Sequence, residues 1–231
     1  AVNVQDVPEL ANLNLRMALA NAIDRETIVN QLLAGQGEVT YTMLPPSHPY
    51  YNQDLEVTSY DPEKARALLE EANWDFNTEL TIDAATGIRT QLALLIQQYL
   101  SDIGMKTKVD TMDSNNVLAN LRSHDFELGI MGASGTTSPY TQDYFVTAGH
   151  ANNFGAMTDP TIGDLFAQAK SSMDAEEERE LVNQAQQEIV DEAPIIFIFT
   201  TNNLSAFNNR LSNVITERWA TVSIGAYDWV I

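Results

Sequence analysis

Between Leu80 and Met131 the chain alternates strand-type and helix-type patterns, and no other feature restricts its fold as much. Leu80-Thr81-Ile82-Asp83-Ala84 alternates apolar and polar residues as a strand does. Ile88 to Ile103 has helical spacing up to Gly104, and Lys106 to Asp110 again reads as a strand. A further helix, Ser114 to Arg122, leads to a strand at Phe126 to Met131. Strands that alternate with helices predict an α/β fold in which parallel neighbours are joined by crossovers on the sheet faces. Ligand crevices in such sheets lie beyond the carboxyl ends of the strands, because the loops that can vary without disturbing the core gather there. Two loops are therefore placed at a candidate site: Ala85 to Arg89 and Gly132 to Tyr144.

Upstream, Leu15, Ala18, Leu19 and Ala22 recur at three and four residues and share one helix face, with Arg16 and Asn21 off it. Asp24 stands where an N-cap belongs, and Ile28, Val29, Leu32 and Leu33 form a second stripe that ends at Gly35. The expectation is two short helices at a capped bend, with Arg16 and Arg25 as surface or cap-region charge. Asp61-Pro62 and Asp159-Pro160 each predict a helix start, since proline at the first helical position forfeits no hydrogen bond. Asp174 with Glu177 gives another start, and Leu181, Ala185 and Ile189 mark its buried stripe. The run Glu176 to Glu178 reads as helix-start charge on a solvated face. Tyr41 to Tyr60, with Pro45, Pro46 and Pro49, predicts an extended surface segment whose tyrosines either form a ligand platform or pin the loop to its own domain. Ile195 to Phe199 reads as a buried strand, paired through a turn at Thr200 to Asn203 with Leu204 to Phe207. Residues 1–12 show no period and read as a linker or terminal edge, leaving 13–231 as one lobe.

Charge narrows the partners. Twelve basic against 32 acidic residues give a net charge of −20, which opposes nucleic acid and anionic membrane surfaces alike. No run of 18 apolar residues and no export signal occur within these residues, so a leader of an exported parent would lie upstream of Ala1. With no cysteine there is no disulfide, thiol nucleophile or thiolate metal site.

The order of particular letters carries more. Arg16-Met17-Ala18-Leu19, Ala22-Ile23-Asp24-Arg25, Gly35, Pro45-Pro46 and Tyr60-Asp61-Pro62-Glu63-Lys64-Ala65-Arg66-Ala67-Leu68-Leu69 follow one another at distances that resemble the family 5 extracellular solute-binding proteins. These are the oligopeptide, dipeptide and nickel receptors of ABC importers. Phe126-Glu127-Leu128 before a glycine-rich loop, Asp159-Pro160, and Pro194-Ile195-Ile196-Phe197 are similar to the C-terminal lobe of such a receptor. The resemblance covers nearly the whole chain but about half of a typical member, with the N-terminal lobe absent. It implies a periplasmic-binding-protein-like type II lobe, a mixed sheet with helices on both faces. It further implies capture of a peptide-like or other small polar solute in an interlobe cleft and delivery to an ABC permease through the full-length receptor. A monomer, extracytoplasmic and either periplasmic or a cell-surface lipoprotein anchored outside this segment, is expected on the same ground. A ligand-sensing module of a regulator is the alternative, and a hydrolytic α/β domain stands behind it.

The residues themselves favour binding over catalysis. His48, His124 and His150 lack helical partners at metal-ligand spacing, so no metal, cofactor or catalytic residue is expected. Gly132-Ala133-Ser134-Gly135 has the wrong spacing for a nucleophile elbow, and no helix follows to bind phosphate. The glycines and hydroxyls of residues 132–140 can instead expose polar groups to a guest, or merely permit turns. The candidate ligand-binding residues are Thr86, Arg89, Met131, Ser134, Thr136, Thr137, Tyr140 and Asp143. The peptide receptors that the chain resembles carry a G-W-x-x-D-type sequence whose aspartate pairs with the peptide α-ammonium. Here no acid follows Gly132 until Asp143, so a guest held by a free amine is not expected unless the loop folds Asp143 back.

Overall fold

The computed structural model describes residues 1–132, 138–202, 208 and 210. Its centre is a three-stranded parallel sheet. β2 (Glu79–Ala85) lies between β3 (Lys106–Met112) and β4 (Leu128–Ile130), while β1 is Gly37–Val39. The ladder sets Ile82 opposite Val109 on one side and Leu128 on the other. α4 (Ile88–Asp102) carries the chain from β2 to β3, and α5 (Ser114–Ser123) carries it back across β2 to β4. Crossovers of one hand that run in opposite directions place their helices on opposite faces.

The burial pattern agrees. Leu80, Ile82 and Ala84 pack with Ala93, Ile96 and Leu100 of α4 and with Leu15 and Leu19 of α1 (Leu13–Ala22). Ala85, turned the other way, packs with Val117 and Leu121 of α5. A third cluster joins Ile162 and Phe166 of α7 (Thr161–Ser171) to Ala185 and Ile189 of α8 (Ala175–Glu192).

The capped bend is as expected. α2 (Arg25–Leu32) begins where Asp24 Oδ1 accepts from the Thr27 amide at 2.9 Å. α3 (Pro62–Glu71) begins where Asp61 accepts from Lys64, and α8 where Asp174 accepts from Glu176 and Glu177. α7 starts one residue later than the Asp159-Pro160 pattern predicts, with the Asp159 carboxylate on the Thr161 amide at 2.8 Å.

Several expectations are overturned. Residues 1–12 are not a linker or loose edge: Val2 bridges antiparallel to Leu128, and Val2 and Leu10 are buried. That bridge makes the sheet mixed. Arg16 and Arg25 are not surface charges but are 4% and 5% exposed. Arg16 donates to the carbonyls of Leu10, Ala11 and Glu192, and Arg25 to those of Ala20, Thr58 and Phe197, so each fork satisfies carbonyls at helix ends and in irregular segments. Burial lowers the pKa of both, that of Arg25 to about 10.

Ile195 to Ile198 do not join a sheet. Strand pairing begins at β5 (Phe199–Thr201), antiparallel to β1, an edge with no periodic signal of its own. Leu204 to Phe207 lie outside the described residues. The proline-rich segment is irregular, and it is pinned to its own lobe: Tyr41 lies under the Arg25 guanidinium at 4.8 Å and Tyr50 under that of Arg179 at 4.9 Å. Gln186 and Gln187 complete the attachment by bonding the backbone of Tyr50, Asn52 and Glu56.

Candidate functional site

α4 carries the chain from β2 to β3, away from β4, so the gap expected in such a sheet lies beyond the carboxyl ends of β2 and β4. After β2, the Thr86 amide still bonds the Met112 carbonyl at 3.2 Å. Gly87 then adopts φ +87°, ψ −134°, a conformation open to glycine and costly for other residues. This turn starts α4 without a side-chain cap, so its first amides end in the gap. The Thr90 hydroxyl donates to the Ala85 carbonyl at 2.9 Å and holds the turn closed.

Arg89, half-buried, crosses to the other loop. A Cβ placed on Gly132 would stand 3.1 Å from its Nη2, so the guanidinium lies directly against the Gly132 backbone. Thr86 and Ile88 are exposed beside it, and Met131 is half-buried against the cluster of Ala85 and Phe154. The structure thus brings together Thr86, Arg89 and Met131 with Gly132. It offers a cation, uncapped amides and an apolar rim, which suit a guest with an anionic or carbonyl end. Ile88 and Gly132 were not singled out as site residues. The spacing of Ile88 suits an ordinary helix residue, and only the tertiary approach of Arg89 shows the role of Gly132.

Tyr140 and Asp143 stand apart from this group. The Tyr140 hydroxyl donates to Glu178 Oε1 at 2.5 Å, and burial together with that carboxylate raises its pKa. Asp143, at 8% exposure, pairs with Lys170 at 2.5 Å and accepts from the Thr147 hydroxyl. Ser134, Thr136 and Thr137 lie outside the described residues. Among the described residues, no group of three or more His, Cys, Asp or Glu side chains converges to hold a metal ion, and no helix is long and apolar enough to cross a membrane.

Known proteins share the sequence pattern and the fold. The model of the bacterial extracellular solute-binding proteins, family 5, middle region, matches residues 1–156. The oligopeptide-binding protein AppA of Bacillus subtilis is 28% identical over 217 residues, 85% of this chain and 40% of that protein. The dipeptide-binding protein of Escherichia coli is 27% identical over 208 residues, 85% of this chain and 38% of its own length. The chain thus spans about two-fifths of the curated relatives it matches. The solved structure of B. subtilis AppA in complex with a nonapeptide superposes with a TM-score of 0.83 at 25% identity, covering 99% of this chain and 49% of that one. NikZ from Campylobacter jejuni in complex with Ni(L-His) shares the fold, with a TM-score of 0.81 at 20% identity, over 99% of this chain and 50% of that one. With two-thirds of its length matched by the family model, and with the type II lobe seen in its structure, the chain belongs to the bacterial extracellular solute-binding proteins of family 5.

Proposed function

We propose that this chain is the C-terminal lobe of a two-lobe receptor that holds a peptide-like or other small polar solute in the cleft between its lobes. The observation that carries the reading is the meeting of the Thr86–Arg89 turn with Met131 and Gly132 at the open carboxyl ends of β2 and β4. In this role Arg89 meets an anionic group or a peptide carbonyl, the α4 amides support it, and Ile88 and Met131 give the apolar rim. Ser134, Thr136 and Thr137 belong to the same loop and supply neutral hydrogen-bonding groups. The second lobe closes the site and excludes water. The receptor works as an extracytoplasmic monomer, free in the periplasm or anchored to the membrane through a lipid outside this segment, and delivers its solute to an ABC permease. It does no covalent chemistry.

Asp143, the first acid after Gly132, is taken by Lys170 and is not free to meet an α-ammonium. The solute is therefore one with neutral hydrogen-bonding groups, or one whose amine is met by the second lobe. A thermal-shift screen of the full-length receptor against unmodified and N-acetylated di- and oligopeptides, nickel–histidine and neutral oligosaccharides tests this. Solute binding that Asp143→Asn leaves unchanged is expected, whether or not N-acetylation weakens it. Tight peptide binding that is lost both on N-acetylation and in Asp143→Asn would overturn the assignment of Asp143.

A further inference from the structure

The chain that returns from the β4 loop runs through Pro139–Gln142 and α6 (Asp143–Val146), and it is fastened on two sides. On one side stand α7 and α8. Tyr140 donates to Glu178, its ring meets that of Phe166 edge-on at 6.4 Å, and Lys170 Nζ lies 5.3 Å from the same ring. Lys170 also pairs with Asp143 Oδ2 while Thr147 donates to Oδ1, so both oxygens of this buried carboxylate are engaged. On the other side, Phe145 stacks on Phe154 at 5.2 Å and packs into the cluster that contains Ala85 and Met131, at the ends of β2 and β4. Phe145 also touches the cluster of Ile162 and Phe166, so one short segment links the α7–α8 pair to the strand ends that form the candidate cleft.

Asp143 is itself buried and both its oxygens are engaged, so turning it towards a guest would break bonds that the present arrangement keeps. The Tyr140 hydroxyl is likewise committed inward. We propose that Tyr140 and Asp143 are positioning residues which, with Lys170 and Glu178, pin the returning arm of the cleft loop to α7 and α8. Through Phe145 the pin fixes the wall of the cleft at Ala85 and Met131. α7 and α8 thus act on the cleft without touching its contents. This rests on the cleft reading above.

Hydrogen exchange on the full-length receptor without solute tests the pin separately from that reading, because no solute takes part. In Lys170→Met and in Tyr140→Phe, exchange over residues 138–147 should rise about tenfold and spread to residues 85–89, while the later turns of α4 and β3 stay as in the parent. Lys170→Arg, which keeps the charge and can reach the carboxylate, should restore the parent pattern. Unchanged exchange over 138–147 in both variants, a rise that does not reach 85–89, or a uniform rise over the whole lobe would each overturn the proposal.

Discussion

Arg16 grips Glu192 twice, with Nε on the Glu192 carbonyl at 2.7 Å and Nη2 on its carboxylate at 2.9 Å, across 176 residues of sequence. The same guanidinium takes up the carbonyls of Leu10 and Ala11, so one buried side chain joins the start of α1 to the end of α8. Arg16→Met leaves three carbonyls without this donor and should cost about 3 kcal/mol of unfolding free energy. Glu192→Gln, at the more exposed end of the pair, should cost under about 1 kcal/mol. Urea denaturation of the two variants measures the difference, and equal costs would show that the ion pair, not the carbonyl cage, carries the effect.

Arg25 does for Phe197 what Arg16 does for Glu192, with the Tyr41 ring as its cover. Arg25→Lys keeps the charge but cannot reach Phe197, Ala20 and Thr58 together, because an ammonium has no planar fork. A loss of about 2 kcal/mol is expected. Tyr41→Leu should cost about 1 kcal/mol. Stability of Arg25→Lys equal to the parent would contradict the role given to the fork.

Asp83 faces α5 from the middle of β2, 5% exposed, and accepts from Asn120 at 2.8 Å. Burial raises its pKa above the usual 3.8, the Asn120 bond lowers it, and Asp110, Asp125 and Glu127 add to the rise. A folded-state pKa above the unfolded value favours the folded state at low pH, and this contribution is lost as pH rises through the folded pKa. Asp83→Asn should therefore raise the Tm by a few degrees, about 1 kcal/mol, at pH 7 and confer no advantage below the ordinary carboxylate pKa. Melting curves from pH 3 to 8 decide it: a variant less stable than the parent at pH 7 would contradict the sign.

Gly37 begins β1 where an added Cβ would lie 2.7 Å from the Thr200 carbonyl and 2.5 Å from Leu33 Cδ1. The leucine can turn away, but the carbonyl belongs to the β1–β5 ladder and cannot. Gly37→Ala should loosen β5, seen as faster amide exchange at Phe199 to Thr201 with the parallel sheet unaffected.

The main architecture was legible because its signals are local. The stripes of α1 and α2, the aspartate caps, and the alternation from β2 to β4 each depend on residues within a few positions of one another. What escaped depends on partners far along the chain. Nothing near Arg16 or Arg25 in sequence reveals that their acceptors are Glu192 and Phe197, and an arginine next to an N-cap has the look of a surface charge. Ile195 to Ile198 have the composition of a strand, yet pairing starts only at Phe199, where β1 supplies a partner too short to show a pattern. At the site, Thr86, Arg89 and Met131 follow from the rule that loops at strand ends line the crevice. The engagement of Tyr140 by Glu178 and of Asp143 by Lys170 spans 38 and 27 residues and has no local trace.

The central claim is that the turn after β2 and the loop after β4 form one wall of a solute cleft. A crystal structure of the full-length receptor with its solute bound tests this most directly. The solute should lie against Thr86 to Arg89 and against Met131 and Gly132, with an acceptor group within hydrogen-bond distance of Arg89 or of the first amides of α4. A solute enclosed by the receptor yet touching neither loop would contradict the account.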